Sequence, residues 1–327
     1  MTRPILLFTG PWADWPLDQL ASRAADWGYQ GLELCTWGDH LEVQRVPAEP
    51  DYCTAKLDLL NRNELQVPVI AAHRIGQATC DPIDRRHQRL VPDYVWGDGD
   101  PQGVQARAVE EMLAIVRAAE QLGVGVISGF TGSPIWSYIG GWPPPDPDTL
   151  AEAYAFFVRQ WTPILDACAE AGIRFACEVH PGQLAFDIPS TEATLAALNH
   201  RPEFGLTIDP SHLFWQGIEP AEFVRQFADR IYHIHIKDAA LTLTGRTSLL
   251  CDHLPRGDAR RGWDFRSPGH GGIDWDLFIR AVNAIGYEGP LSVDWSDASM
   301  DREYGAEDAC QFVQRLNFPG RTVNRAD

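Results

Sequence analysis

The chain has no CxxC pair and no regular cysteine spacing; Cys35, Cys53, Cys80, Cys168, Cys177, Cys251 and Cys310 are an odd, scattered set. That excludes a disulfide-stapled small scaffold and a short-spaced zinc knuckle, and it suits reduced thiols in a cytoplasm. Basic residues are scarce, 27 Lys and Arg against 45 Asp and Glu, for a formal net charge of −18. Such a surface is ill suited to tracking a phosphate backbone by counterion release, so the expected partner is a small molecule and not nucleic acid. No apolar run approaches the roughly 20 residues of a membrane span, so no membrane association is expected. The stretch MTRPILLFTGPW has one Arg and a short apolar run that soon meets Gly-Pro, unlike a secretory leader; a cytoplasmic location is the expectation. A flexible linker and a sequence repeat are also lacking, so residues 1–327 read as one domain.

What is present is alternation. Hydrophobic residues make up 45% and charged residues 22% of the chain, enough for a large core. Short apolar runs at 5–10, 31–37, 67–73, 123–130, 173–180, 204–210, 231–238 and 290–295 read as strands. Amphipathic stretches lie between them, such as LDQLASRAADWG, VQARAVEEMLAIVRAAEQLG and TLAEAYAFFVRQWTPILDACAEAG, each closed by a glycine suited to a helix C-cap. About eight βα units predict an α/β fold, a (β/α)8 TIM barrel. Three long connections, 74–101, 133–147 and 239–272, each follow a strand. In a barrel they lie on the C-terminal face, as candidate lids, as oligomer contacts or as ordinary insertions.

The strand YHIHIKD puts Ile234 and Ile236 on one face, and His233, His235 and Lys237 on the other. Imidazoles facing a barrel interior need a polar partner. Glu178 in EVH, Asp209 in IDPSH, His235 in HIHIKD and Asp294 in SVDWSD each fall near the C-terminal end of a late strand, so the barrel brings them to one mouth. Three carboxylates and an imidazole suit a divalent metal ion, Mn²⁺ first, with Mg²⁺, Co²⁺ or Zn²⁺ as alternatives. The competing arrangement is a salt-bridge network with Lys237.

The ordered set GYQGLEL, EVHPG, IDPSH, HIHIKD, PGHGGIDW and SVDWSD, from residue 28 to about 297, resembles the sugar phosphate isomerase/epimerase superfamily, the barrels similar to xylose isomerase. The resemblance implies metal ligands at Glu178, Asp209, His235 and Asp294, where the family has Glu at the last position. It also implies that the first and last carboxylates, Glu178 and Asp294, exchange a substrate proton in the epimerase branch. Asp294 is one methylene shorter, which weakens that reading, since a misplacement near 1 Å costs about 10²-fold in rate. His212 resembles the family histidine that contacts a substrate oxygen. His180 is a second acid/base or a partner for a ligand carboxylate; His73, Lys237, Trp37 and Glu33 are candidate substrate contacts on the same rim. His233 reads as a buried partner of the site. Trp12, Phe214 and Trp215 are further ring-stacking candidates, and the arginines at 246, 256, 260, 261 and 266 read as solvated or anion-binding.

The first functional reading is a metal-dependent isomerase or epimerase of a keto sugar or related polyol. The alternative is a lyase of the inosose dehydratase or 3-oxo-glucoside C-deglycosidase type, the latter implying a small second subunit. An apurinic endonuclease and a non-catalytic sugar-binding barrel are more remote: the fourth strand ends SGFTGS, without the histidine the endonuclease needs. A homo-oligomer is implied by family analogy alone.

Overall fold

Strands Ile5–Phe8 (β1), Gly31–Cys35 (β2), Gln66–Ala71 (β3), Val126–Gly129 (β4), Arg174–Glu178 (β5), Phe204–Ile208 (β6), Ile231–Ile236 (β7) and Leu291–Val293 close into one barrel in a computed structural model that describes residues 2–320. Neighbours run parallel around the ring, and the last strand closes it by pairing with both β1 and β7. Each predicted strand is present; seven are trimmed at one or both ends, and β3 is shifted one residue earlier at its start and ends two earlier. The intervening helices begin on side-chain caps: Asp100 accepts from the Gly103 amide before Pro101–Leu122, and Asp146 from the Thr149 amide before Pro147–Ala171. Both end where the sequence placed a stop. Gly123 and Gly172 adopt φ of 69° and 66°, the left-handed conformation that a side chain disfavours.

The main hydrophobic core lies between the sheet and its helical ring. Phe157, Trp161, Ile164, Leu165 and Cys168 recur at helical spacing and are fully buried; Trp161 packs on Phe175 of β5 at 4.4 Å, and Phe175 on Phe204 of β6 at 6.0 Å. Within the barrel, Ser128 and Thr207 pair their hydroxyls at 2.9 Å, so its interior turns polar before the mouth is reached.

Three predicted boundaries shift, and each shift moves a functional residue. β3 ends at Ala71, and His73 opens the helix His73–Cys80, so His73 sits on a helical turn and not on a strand. β5 ends at Glu178, leaving His180 beyond the sheet, and Asp209 caps the short helix Pro210–Phe214. The connection 239–272 carries an antiparallel ribbon, Asp238–Leu241 (β8) with Trp263–Arg266 (β9), which makes the last barrel strand β10. Its cause is local packing: Trp263 stacks on Trp215 at 4.4 Å, and Phe265 packs edge-on against Trp263. Among the described residues, no helix is long and apolar enough to cross a membrane.

Candidate metal centre and active site

His235, next to the C-terminal end of β7 on its inward face, is completely buried. Its Nε2 lies 3.1 and 3.2 Å from the two Glu33 oxygens, and Glu33 also accepts from His233 Nε2 at 2.8 Å. Nε2 therefore carries the proton, and the lone pair of Nδ1 faces the barrel mouth. That Nδ1 makes no hydrogen bond and lies 3.8 Å from Glu178 Oε2. Glu33 is thus corrected from its expected place on the rim. Strand alternation turns it into the closed interior beneath His235, where the two imidazoles occupy both its oxygens and no substrate reaches it.

Above His235 the carboxylates converge. Ligand atoms of Asp209, His235 and Asp294 lie within 4.8 Å of one another, as do those of Glu178, Asp209 and His212. Asp209 Oδ1 is used locally by the Ser211 amide at 2.9 Å and hydroxyl at 2.7 Å, whereas Asp209 Oδ2 is buried without a hydrogen bond. Burial and the neighbouring Glu178 and Asp294 charges push the Asp209 carboxyl up to about 6 despite Lys237 nearby. Against the opposing effect of burial, His235 is pushed up by Glu33 first and then Glu178, and Lys237 by Asp294, Asp209 and Glu178. The cluster demands positive charge, and its free atoms, a carboxylate oxygen and an imidazole lone pair held by a second carboxylate, are hard-cation donors. Glu178, Asp209, His235 and Asp294 fit a divalent metal ion.

Glu178 is more heavily engaged than its expected role as a base requires. His73 Nε2 contacts Oε2 at 2.7 Å and His212 Nε2 lies 3.3 Å from Oε1. Burial alone would raise its pKa, but the histidine contacts hold it well below the usual carboxylate range. Lys237 pairs directly with Asp294, and its Nζ is 3.9 Å from Asp209 Oδ2. The adjacent Asp238 is not its partner: that carboxylate accepts from the Gly269 and Gly271 amides and the Trp275 indole, tying down PGHGGIDW. His180 donates from Nδ1 to the Pro181 carbonyl at 2.5 Å, which leaves Nε2 as an acceptor, and its ring is 3.9 Å from that of His212. Burial, with His212 alongside, depresses its pKa to about 3, so the imidazole is neutral.

A cleft of about 290 Å³ opens over this cluster, lined by Glu178, His180, His212, His73, Lys237 and Asp294, with Trp37 on one side. All the expected rim residues except Glu33 meet there. Trp12 instead packs on Trp15 and Trp27, and Trp215 on Trp263. Of the five arginines in the 239–272 connection only Arg256 lines the cleft; Arg261 is buried, bonded to the Cys251 and Leu254 carbonyls. Sequence reasoning missed Phe8, Phe130 and Phe265 on the walls, although Phe8 stacks on His235 at 5.4 Å. Phe8 ends β1, Phe130 follows β4 and Phe265 is next to last in β9, each as one more apolar residue, so nothing in the pattern set it apart.

A family model described as the xylose isomerase-like TIM barrel matches residues 21–316. The chain belongs to that family. Among curated relatives of this xylose isomerase-like barrel, the uncharacterized protein YfiH of Bacillus subtilis is 28% identical over 191 residues, 56% of this chain and 60% of that protein. The inosose dehydratase of Geobacillus kaustophilus is 27% identical over 169 residues, 48% of this chain and 53% of the enzyme. Both matches therefore leave more than a third of the relative uncovered. Solved structures share the fold at low identity. The D-allulose 3-epimerase of Methylomonas sp. has a TM-score of 0.63 at 18% identity, covering 97% of this chain and 99% of that one. The IolI protein, solved with a zinc atom, has 0.62 at 16%, covering 96% of each chain.

Proposed function

We propose that this barrel is a divalent-metal-dependent lyase acting on a cyclic keto-polyol or keto sugar, abstracting the proton beside the carbonyl and expelling the oxygen substituent one carbon further on. The observation that carries this reading is the buried ion pair of Lys237 with Asp294. Two-sided proton exchange, the first expectation, needs Glu178 and Asp294 as symmetric bases. Here one carboxylate is neutralised by an ammonium and the other is bound by histidines. Elimination needs only one proton carrier.

His180 is that carrier. Its Nε2 accepts the α-proton while the C–H electron pair delocalises into the carbonyl. As the carbonyl re-forms, the carbon–carbon double bond forms and the β C–O bond breaks. The departing oxygen takes the proton back from Nε2, so the net loss is water or an alcohol and His180 returns to its neutral form. Lys237 presents positive charge to the substrate oxygens, beside His212. A divalent ion held by Glu178, Asp209, His235 and Asp294 would supply Lewis-acid polarisation of the carbonyl. The sequence likeness to inosose dehydratase supports the same class.

The test is NMR in D₂O with Mn²⁺ added, using an inosose, a 3-oxo-glucoside and a ketohexose as substrates. Deuterium entry beside the carbonyl together with an unsaturated product is the expected result. A C3-epimerised ketose without elimination would restore the epimerase reading.

A further inference from the structure

The cleft above the carboxylates is not alone on this face. A larger cavity of about 690 Å³ lies beside it, lined by Gln77, Asp81, Ser133, Trp136, Ile139 and Gln183 among others. His180 lines both. The volume falls in the range of about 300–1,000 Å³ typical of small-molecule sites, whereas the cleft itself has room for little beyond one ring.

The cavity floor is held by buried hydrogen bonds. Gln183 Oε1 accepts from the Thr131 and Gly132 amides at 2.9 and 2.8 Å, and its Nε2 donates to Gln77 Oε1 at 2.6 Å. Gln77 donates in turn to Asp81 Oδ2 at 2.8 Å, while Asp81 Oδ1 takes the Ser133 amide at 2.8 Å. The Ser133 hydroxyl is buried, 1% exposed as a residue, and has no hydrogen-bond partner. Trp136, packed edge-on against Phe186 at 5.4 Å, and Ile139 supply the apolar side. The charge at the edge is matched, because Arg86 is clamped by both oxygens of Asp84. An indole face, an aliphatic side chain and fixed amide groups with no free cation suit a neutral, hydroxyl-bearing ring, not a phosphate.

Resting on the lyase reading above, we propose that the substrate has two parts: a keto ring in the metal cleft and a ring-sized, hydroxylated leaving group in the cavity lined by Trp136 and Ile139, joined by the bond that lies against His180. Loss of water would need no second chamber. Loss of an alcohol fragment needs one, on the side of the residue that returns the proton.

Binding tests this without turnover. Calorimetric titration of the Mn²⁺-loaded protein would compare 4-hydroxyphenyl β-glucoside with methyl β-glucoside, which share the sugar and differ in the group beyond the glycosidic oxygen. The aryl glucoside is expected to bind at least 10-fold more tightly. Ile139→Trp, which fills the cavity, and Trp136→Ala, which removes its face, should each cut that ratio several-fold. Equal affinities in the unaltered protein, or a ratio that neither substitution moves, would overturn the subsite. A preserved ratio in a protein that shows no deuterium exchange on any ketone would support the subsite and sink the lyase reading alone.

Discussion

At the scale of single residues the site divides into groups that hold charge and one, His180, to which the lyase reading assigns the proton transfer. Glu33 never meets the cleft, yet it sets the tautomer of His235 by accepting at Nε2. Carboxylates in that position are worth 10- to 100-fold in metal affinity. Glu33→Gln should therefore weaken Mn²⁺ binding by about that factor, read by competition with a chelator. His180→Ala should lower deuterium exchange by about 10²- to 10⁴-fold, the usual worth of a positioned acid/base, with metal stoichiometry unchanged. Glu178→Gln should lose the metal as well as the exchange. If His180→Ala keeps full exchange while Glu178→Gln with metal bound does not, the base is Glu178.

Among the elements, the connections after the strands supply most of the lining of both cavities, and two of them are tied down by identifiable contacts. Asp238, at the start of β8, receives two backbone amides and an indole N–H from PGHGGIDW, and a Cβ at Gly271 would meet its Oδ1 at 2.0 Å. Asp238→Ala removes the acceptor of these donors and of the Ala239 and Ile273 amides, at about 1–3 kcal/mol for each one that stays buried, so a loss of several kcal/mol in urea unfolding is expected. The connection 74–101 is held differently. His87 Nε2 lies 3.1 Å from Asp81 Oδ2, beneath the larger cavity. Burial disfavours its charged form, but the Asp81 contact outweighs this and its pKa is raised. A raised histidine pKa means the fold binds the proton more tightly than the unfolded chain does. The stabilisation is complete below about pH 6.5 and fades as pH rises through the folded-state value. The stability difference between the unaltered protein and His87→Ala should accordingly shrink from pH 6 to pH 8 in denaturant titrations; a difference that grows would show that His87 is bound neutral.

The whole barrel concentrates three carboxylates at one mouth, with Lys237 beside them as the nearest fixed positive charge. A divalent ion that binds only the folded state adds about 2.7 kcal/mol at a free concentration 100 times its Kd. Mn²⁺ should raise the thermal midpoint and chelation should reverse it, and Asp209→Asn should abolish the response. An unchanged midpoint in saturating metal, with no ion retained on the protein, would leave the Lys237 network as the complete site.

The sequence by itself determined the barrel, because apolar period and glycine stops are local signals: ILLF, GLELC and IYHIHI each state their own conformation, and Gly123 and Gly172 end their helices where they stand. It also placed Glu178, Asp209, His235 and Asp294 at one mouth, since strand order in a closed parallel barrel leaves little choice. Tertiary structure decided the roles. Lys237 chose Asp294 over its neighbour Asp238, Glu33 went beneath the site, and His180 came to stand between two cavities. These outcomes depend on distances between side chains far apart in the chain, down to 2.7 Å for His73 and Glu178 across 105 positions. Hydrophobic patterning says which face a residue takes, and it carries no information about which of several charged groups on that face will find one another.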